Sequence, residues 1–260
     1  MAGKDRKKEL ARQRYERQQA RRVAEEAAAK RRRAIGWGAV AAVVVLGVAG
    51  GTAYALTRGG DEKPAEPVAE AGTCVYQDAP SEGEGAKNVG KPPTEPAYKG
   101  TVKATVKTGL GEIKMDLDAD KAPCTVNAIA YLAEKGYFDK TECHRVAENP
   151  PMLQCGDPTA TGAGGPGFQY TTENTDGAKY TEGVVAMANS GSPDSNGSQF
   201  FIMYDDSGLS PDYTVFGKVT SGIGIVKDVA KAGDDGSNSA GGGKPKKKVE
   251  INSISIAKNE

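Results

Sequence analysis

The sequence predicts a mainly β protein whose folded part is a closed antiparallel barrel with helices covering its ends. Three observations predict this fold class. Over residues 99–256, many short stretches alternate apolar and polar residues, as half-buried strands do. Only two stretches have the spacing of amphipathic helices. Glycine is abundant, at 34 of 260 residues, and aromatic residues make up only 6%, which suits a β protein with many turns.

The first predicted elements are a β-hairpin and a helix. Apolar residues alternate with polar ones over 102–106 and again over 113–117, and turn-forming residues occupy 108–111 between them. Apolar residues then recur at the i, i+3, i+4 and i+7 spacing over 126–133. This spacing predicts a helix that ends at Gly136.

The remainder of the domain is predicted to contain further strands and one more helix, over 223–231. The strands are predicted at 143–146, 152–155, 183–188, 199–203, 214–219 and 248–256. The glycine-rich stretch 162–167 lacks the Lys-Ser/Thr that ends a phosphate-binding loop, so a shaped turn is expected there.

Three segments are predicted to precede the domain at 99–260. They are a basic cytoplasmic arm at 1–33, a transmembrane helix at 34–56 and a flexible stalk rich in Pro, Glu and Gly at 57–98. Within the stalk, residues 74–76 are predicted to touch the domain. The arm holds 13 Lys and Arg against 5 Asp and Glu, whereas the whole chain has a net charge of zero. Basic charge confined to an arm beside a membrane favours lipid headgroups as its partner, and no nucleic-acid partner is expected.

The stretch 34–56 is uncharged over 23 residues, enough to cross a hydrocarbon core of about 30 Å. Basic residues 30–33 precede it and only Arg58 follows closely. The N-terminus is therefore predicted to be cytoplasmic and the domain extracytoplasmic, in a single-pass protein of the cell membrane. A cleaved signal peptide is the alternative, because residues 53–55 are Ala-Tyr-Ala, but the apolar run is longer than the usual about 7–15 residues.

Four cysteines follow the predicted anchor, and they are Cys74, Cys124, Cys143 and Cys155. An extracytoplasmic compartment is oxidising, so two disulfides are predicted in preference to free thiols. Four cysteines allow three pairings, and the sequence does not choose among them. No metal and no cofactor are expected, because no closely spaced pair of cysteine ligands occurs.

His144 is the only histidine, so any Ser-His or Cys-His catalysis would depend on it. No G-x-S-x-G motif is present, and a buried histidine that bonds to the backbone is expected instead. Asp116, Asp118 and Asp120 alternate by twos but lack the later Gly and Glu of an EF-hand loop. A solvated strand end is therefore expected at these three residues.

A different kind of site is predicted around Arg145. If Gln199 and Phe201 lie on one strand, they face the same side and place an amide beside an aromatic ring, whereas Phe200 faces the other side. Such a face suits a small apolar group that has a carbonyl beside it. Met152 and Gln154 likewise share a face, and Arg145 joins them if the two strands pair.

Six motifs follow one another along the chain. They are Cys-His-Arg-Val at 143–146, Met-Leu-Gln-Cys-Gly-Asp-Pro-Thr at 152–159, the glycine-rich 162–167, Ala-Met-Ala-Asn at 186–189, Asn-Gly-Ser-Gln-Phe-Phe-Ile at 196–202 and Val-Phe-Gly-Lys-Val at 215–219. In type and order they resemble the cyclophilin family of peptidyl-prolyl cis-trans isomerases, over about residues 99–256. The anchor and the four cysteines are similar to those of extracytoplasmic actinobacterial cyclophilins.

The resemblance implies a closed eight-stranded barrel capped by two α-helices, with a peptide groove on one outer face. It implies that Arg145 is the catalytic residue for rotation about X-Pro bonds in proline-containing polypeptides. The implied substrate-binding residues are Gln154 and Asn189 for the peptide, Met152, Phe201 and Leu209 for the proline, Gly162, Ala188, Ser190 and Gln199 for the shape of the groove, and Tyr213 at the groove position where the family usually has His. The implied role is to assist folding of exported proteins, and a monomer is expected.

The chain departs from the family pattern at three groove positions. Pro151 stands where the family usually has Phe, the usual Trp is replaced near Gly208, and Tyr213 stands in place of the usual His. Weak binding of cyclosporin-type drugs is therefore expected. Two alternatives to the enzyme stay open. One is a non-catalytic module that captures proline-containing segments, and the other is a structural domain that supports the basic arm.

Overall fold

The computed structural model describes residues 72–81 and 84–257. The strands, numbered in chain order, are β1 Gln77–Ala79, β2 Thr101–Thr108, β3 Gly111–Asp118, β4 Thr141–Glu142, β5 Arg145–Glu148, β6 Pro151–Cys155, β7 Gly167–Gln169, β8 Val184–Met187, β9 Phe200–Met203, β10 Val215–Ser221 and β11 Glu250–Ile256. The helices are α1 Pro123–Glu134 and α2 Ile223–Ala232.

The main sheet is antiparallel and has the strand order β4-β11-β2-β3-β10-β8-β9-β6-β5, with β1 and β7 forming a separate two-stranded sheet. A mainly β, antiparallel fold with two helices was predicted, and this prediction is confirmed. Nine strands are assigned to the main sheet over the described residues, because the chain between residues 141 and 148 is divided into β4 and β5. Closure into an eight-stranded barrel stays a prediction.

The core follows from the alternation of the strands. In the β2–β3 hairpin, every second residue is buried, and the buried ones include Val102, Val106, Ile113 and Leu117. Helix α1 is buried on all sides over residues 125–130, and Ile129 is part of the main core. It begins at Pro123, whose fixed φ suits a first helical position. The Glu173 carboxylate accepts hydrogen bonds from the first-turn N–H groups of Cys124 (3.0 Å) and Thr125 (2.8 Å).

Residues 72–81 and 84–98 are part of the folded domain, although the sequence assigned them to a flexible stalk. Cys74 and Tyr76 are buried, as expected for a stretch that touches the domain. Strand β1 pairs with β7, which the sequence did not predict. The Tyr76 hydroxyl donates to the carbonyl of Cys124 (2.9 Å), which ties the segment to α1. The composition is typical of a linker, but the segment is held by a disulfide, a strand pairing and side-chain hydrogen bonds.

The four cysteines form two disulfides, Cys74–Cys124 and Cys143–Cys155. The predicted number of disulfides is confirmed, and the structure selects one of the three pairings. The first bond joins the N-terminal segment to the start of α1. The second joins Cys143, which lies two residues before β5, to Cys155, the last residue of β6.

Within the two described ranges, no helix has the length and apolar character needed to span a membrane. The predicted arm at 1–33 and transmembrane helix at 34–56 lie outside those ranges.

Candidate active site

The centre of the site is a cross-strand pair, Arg145 on β5 and Gln154 on β6, which are direct partners in the ladder. The Arg145 Nη1 donates to Gln154 Oε1 at 3.4 Å. The Gln154 Nε2 donates in turn to Gln199 Oε1 at 2.9 Å, and Gln199 Nε2 donates to the carbonyl oxygens of Gly162 (3.0 Å) and Gly164 (2.9 Å). A continuous chain of hydrogen bonds therefore runs from the guanidinium to the glycine-rich loop.

Two backbone carbonyls hold the other edge of the guanidinium. Arg145 Nε donates to the carbonyl of Gly241 (2.9 Å), and Nη2 donates to the carbonyl of Ala240 (3.0 Å). A guanidinium has five N–H donors, and these bonds together with that to Gln154 use three of them. Two donors remain for a substrate. The sequence did not predict this contact, because a backbone acceptor carries no side-chain signature.

Partial burial lowers the pKa of Arg145 from its ordinary value, and the nearby Tyr213 opposes this effect. An arginine starts from a pKa above about 12, so the guanidinium keeps its charge at neutral pH. A half-buried and charged donor interacts with an acceptor more strongly than a fully solvated one does. Arg145 therefore offers a positive charge and free N–H groups at the mouth of a pocket.

The pocket beside Arg145 has a volume of about 250 Å³. Its lining contains most of the predicted site residues, and they are Arg145, Met152, Gln154, Ala188, Asn189, Phe201, Leu209 and Tyr213. Pro150 and Ala240 complete the lining, and the sequence did not predict either. The Phe201 and Tyr213 rings meet edge to face with centroids 5.5 Å apart. The floor is therefore apolar and aromatic, and the rim is polar.

Tyr213 is held in place by Tyr180. The Tyr180 hydroxyl donates to the carbonyl of Tyr213 (2.9 Å) and accepts from the Tyr213 N–H (3.0 Å). Burial raises the pKa of Tyr180, so its hydroxyl is neutral at ordinary pH and can serve in both bonds.

A second pocket, of about 320 Å³, adjoins the first. Gln154, Ala188 and Asn189 line both pockets. The remaining predicted groove residues, Gly162, Ser190 and Gln199, line the second one. Every predicted substrate-binding residue therefore lies in one of two neighbouring pockets.

The loop after Asn189 is ordered by local hydrogen bonds. Asn189 Nδ2 donates to the carbonyl of Asp212 (2.9 Å), and its Oδ1 accepts from the Gly191 N–H (3.0 Å). The Ser190 N–H donates to Ser195 Oγ at 2.9 Å. These bonds fix the backbone of residues 188–190, which faces both pockets.

The glycine-rich loop is shaped by one buried carboxylate. Asp157 accepts hydrogen bonds from the N–H groups of Gly162 (2.6 Å), Gly164 (3.2 Å) and Thr161 (3.1 Å). A Cβ at Gly164 would overlap the Asp157 carboxylate, so the loop requires glycine there. Burial alone would raise the pKa of Asp157, but the hydrogen bonds, led by that of Thr159, outweigh it and lower the pKa. A shaped turn was predicted for this stretch, and the hydrogen bonds agree with it.

His144 is buried, as predicted, but the prediction that its ring bonds to the backbone is wrong. Neither ring nitrogen has a hydrogen-bond partner among the described residues. The ring lies next to Gly162 of the glycine-rich loop, 3.8 Å from the position that a Cβ there would occupy. Burial lowers its pKa, Asp157 opposes this effect, and Arg145 adds to it. The ring is therefore neutral at physiological pH.

The three aspartates at the end of β3 take part in surface contacts. Asp116 pairs with Lys103 (2.7 Å) and Asp118 with Lys121 (3.2 Å). Asp120 accepts the Gly100 N–H at 2.8 Å. Over the described ranges, no group of three or more His, Cys, Asp and Glu side chains is placed to bind a metal ion. These contacts agree with a solvated strand end.

Fold and site together define an antiparallel β domain that carries an apolar, aromatic pocket beside a charged arginine and a second pocket adjoining it. The family model of the cyclophilin type peptidyl-prolyl cis-trans isomerases matches residues 103–256. The chain belongs to this family.

Relatives and solved structures agree with this assignment. The chain is 39% identical over 212 residues to the probable peptidyl-prolyl cis-trans isomerase B of Mycobacterium tuberculosis, a match that covers 74% of this chain and 66% of that protein. It is 42% identical over 188 residues to the protein of the same description from Mycobacterium leprae, covering 63% and 62% of the two chains. The chain thus spans just under two thirds of the length of these curated relatives.

Among solved structures, a cyclophilin type peptidyl-prolyl cis-trans isomerase of Cryptosporidium parvum superposes with a TM-score of 0.55 at 30% identity. The superposition covers 62% of this chain and 99% of that one. A second structure of the same protein, determined in the presence of the dipeptide Ala-Pro, superposes with a TM-score of 0.54 at 31% identity.

Proposed function

We propose that the domain catalyses cis–trans isomerisation of X-Pro peptide bonds, with Arg145 as the catalytic residue. The single observation that carries the proposal is the position of the Arg145 guanidinium at the rim of a pocket floored by Met152 and Phe201. The pocket is apolar enough for a proline ring. In this proposal the two remaining N–H groups of the guanidinium face the peptide bond that precedes the proline.

The chemistry needs only a well-placed donor. Rotation about a peptide bond costs about 18–20 kcal/mol because it removes the resonance of the amide. In the twisted transition state the prolyl nitrogen regains its lone pair and becomes a better hydrogen-bond acceptor. A fixed N–H donor from Arg145 then binds the twisted form more strongly than either planar form, which lowers the barrier.

Rotation also requires that one side of the bond be held. In this proposal Met152, Phe201, Leu209 and Tyr213 hold the proline ring, while Gln154 and Asn189 bind the flanking peptide backbone. Gln154 is itself oriented by Gln199, and its amide is therefore fixed before substrate arrives. No covalent step occurs, and no proton is transferred.

The enzyme is distinguished from a non-catalytic proline-binding module by an isomerisation assay on the purified full-length chain in detergent. The exchange between cis and trans forms of a proline tetrapeptide is followed by NMR. We expect exchange that is accelerated in proportion to protein concentration. Peptide binding without acceleration would support the binding module instead.

We further propose that the domain is extracytoplasmic, carried by an uncleaved membrane span at 34–56, and that it assists folding of exported proteins as a monomer. Two disulfides support an oxidising compartment. Mass measurement of the mature chain tests the uncleaved span, since cleavage would remove more than fifty residues' mass. A protease that digests the domain in intact cells would support its exposure on the outer side.

We also propose that the main sheet closes into a barrel. The N–H of Cys143 donates to the carbonyl of Val249 beside β11, and the N–H of His144 donates to the carbonyl of Gln154 in β6. One short segment thus bonds to both ends of the sheet, which supports closure.

A further inference from the structure

We propose that residues 79–81 form the outer wall of the second pocket and limit which substrate side chains it accepts. The proposal rests on the isomerase function proposed above and deepens it. The family model begins at residue 103, so this wall is an addition to the domain that the family shares.

The wall lies next to the glycine-rich loop, to which it is hydrogen-bonded. Ala79, Pro80 and Ser81 line the cavity of about 320 Å³ together with residues 162–166. Without residues 79–81 the cavity would be open where they line it. The segment therefore converts part of an open groove into a pocket of limited width.

The wall is fixed at several points. Ala79 pairs with Gly167 in the β1–β7 ladder, and Ser81 Oγ accepts the Gly165 N–H at 3.1 Å. The Asn88 side chain bonds to both the N–H and the carbonyl of Ser81, each at 2.9 Å. The Cys74–Cys124 disulfide ties the start of the segment to helix α1. A wall held in this way can exclude a side chain instead of moving aside.

The spacing of the two pockets determines which side chain of a bound peptide lies over the second pocket. Both pockets share Gln154, Ala188 and Asn189, and alternate side chains of an extended peptide point to the same face. When a proline occupies the first pocket, the side chain of the residue two positions before or two positions after it therefore lies over the second pocket. Its described lining residues carry no charged side chain, so a charged group there would lose hydration without gaining a partner. We infer that the pocket accepts an uncharged side chain of moderate size.

The experiment compares substrates that reach the second pocket with one that does not. The short substrate is a capped Ala-Pro dipeptide amide. The long ones are hexapeptides with Leu, Lys or Trp two positions before the proline, and a second series with the same residues two positions after it. The full-length wild-type chain is compared with Ala79→Trp, which fills the pocket, and with Asp78→Trp. Asp78 is the matched control because it neighbours Ala79 and its side chain is 79% exposed.

For wild type, we expect kcat/KM for the Leu peptide of one series to exceed that of the dipeptide by about tenfold, with no such gain for Lys or Trp. In Ala79→Trp this gain is lost while the dipeptide rate is unchanged. Asp78→Trp keeps the gain. Retention of the gain in a folded Ala79→Trp variant, or a wild type that does not discriminate among the side chains, would overturn the proposal.

A peptide-binding titration keeps this inference separate from the isomerase proposal. If wild type accelerates neither short nor long substrates, the proposed function fails, and the Kd of the Leu hexapeptide becomes the readout. Weaker binding to Ala79→Trp than to Asp78→Trp would then support the wall. Equal binding to both variants would overturn it.

Discussion

The Nε of Arg145 donates a 2.9 Å hydrogen bond to the carbonyl of Gly241, 96 residues away in the sequence. The loop that supplies this carbonyl is itself fixed to the strand that carries the arginine. Val146, next to Arg145, exchanges two backbone hydrogen bonds with Gly243, at 2.9 and 3.0 Å. The orientation of the guanidinium therefore depends on how closely this loop packs against β5.

Gly242 is the residue that permits this close approach. It has φ +73°, and a Cβ there would overlap the carbonyl of Val146 and the Cα of Ala147. We predict that Gly242→Ala moves the carbonyls of 240 and 241 away from Arg145 and lowers kcat by about tenfold to a hundredfold. The measurement is steady-state isomerisation kinetics.

Gly236→Ala is the matched control for this variant. Gly236 has a similar φ of +68°, but nothing lies within 4 Å of the position that its Cβ would occupy. The control therefore carries the backbone strain, about 1–2 kcal/mol, without the overlap. Equal activity in the two variants would show that the loop does not position Arg145.

The Cys143–Cys155 disulfide is predicted to stabilise the domain. It closes a loop between residues separated by 12 positions, and a disulfide across a loop of this size stabilises a protein by about 3 kcal/mol. We expect the double variant Cys143→Ala/Cys155→Ala to lose about this much free energy of unfolding in urea. Because these cysteines flank Arg145 and Gln154, the kcat of this double variant should also fall.

The variant Cys74→Ala/Cys124→Ala removes the other disulfide and provides the comparison. This double variant is also predicted to destabilise the domain. The disulfide that it removes, however, lies at the start of α1 and does not flank the Arg145–Gln154 pair. Its kcat for the capped dipeptide should match that of wild type at temperatures where it is folded. Equal losses of kcat in both double variants would contradict this assignment.

The stability of the domain is predicted to fall as the pH decreases below 6.5. Burial lowers the pKa of His144 from its ordinary value of 6.5, with Asp157 opposing and Arg145 adding to the effect. The unfolded chain therefore binds a proton more readily than the folded one. The free energy of unfolding is at its full value above pH 6.5 and decreases below it.

Because the chain has only one histidine, a decrease in the free energy of unfolding over the pH range of histidine titration can be assigned to His144. Urea unfolding is measured between pH 7.5 and about pH 5, above the range in which most carboxylates titrate. His144→Gln is expected to remove the loss of stability over this interval, whatever its effect at pH 7.5. The carboxyl of Glu173, whose pKa burial raises, contributes in the opposite direction because the folded chain binds its proton more readily. An unchanged slope in the variant would assign the pH dependence to other groups.

The sequence predicted the parts of this structure that depend on side-chain patterns. Alternation located the β2–β3 hairpin, and it correctly placed Phe200 and Phe201 on opposite faces. Phe200 lies in the main core, and Phe201 packs in a separate cluster under the first pocket. The same logic brought Arg145 beside Gln154, since facing strands pair residue by residue.

Other parts were beyond prediction because they depend on backbone geometry or on distant contacts. The carbonyls of Ala240 and Gly241 leave no signature in side-chain type. Strand β1 has three residues in a region with the composition of a linker, and its ladder with β7 joins residues far apart in the sequence. The disulfide pairing itself depends on which strands meet in space.

The three departures from the family pattern predict weak binding of cyclosporin. Tyr213 lies in the first pocket with its ring edge-on to Phe201, and it is larger than the histidine usual in the family. We expect a Kd for cyclosporin weaker than about 1 μM, equivalent to about 8 kcal/mol of binding free energy. Isothermal titration calorimetry checks this value. Nanomolar binding would refute it, and Gly208→Trp is expected to tighten binding.

The catalytic role of Arg145 is tested by kcat/KM of Arg145→Ala and Arg145→Lys for a capped Ala-Pro dipeptide, measured by NMR exchange. We predict that Arg145→Ala lowers kcat/KM by about a hundredfold to a thousandfold, as loss of a transition-state donor does in other enzymes. Arg145→Lys should recover only part of this activity, because an ammonium lacks the planar fork that bonds to Gln154 and the carbonyls at 240 and 241. Wild-type activity in a folded Arg145→Ala variant would show that Arg145 is not the catalytic residue.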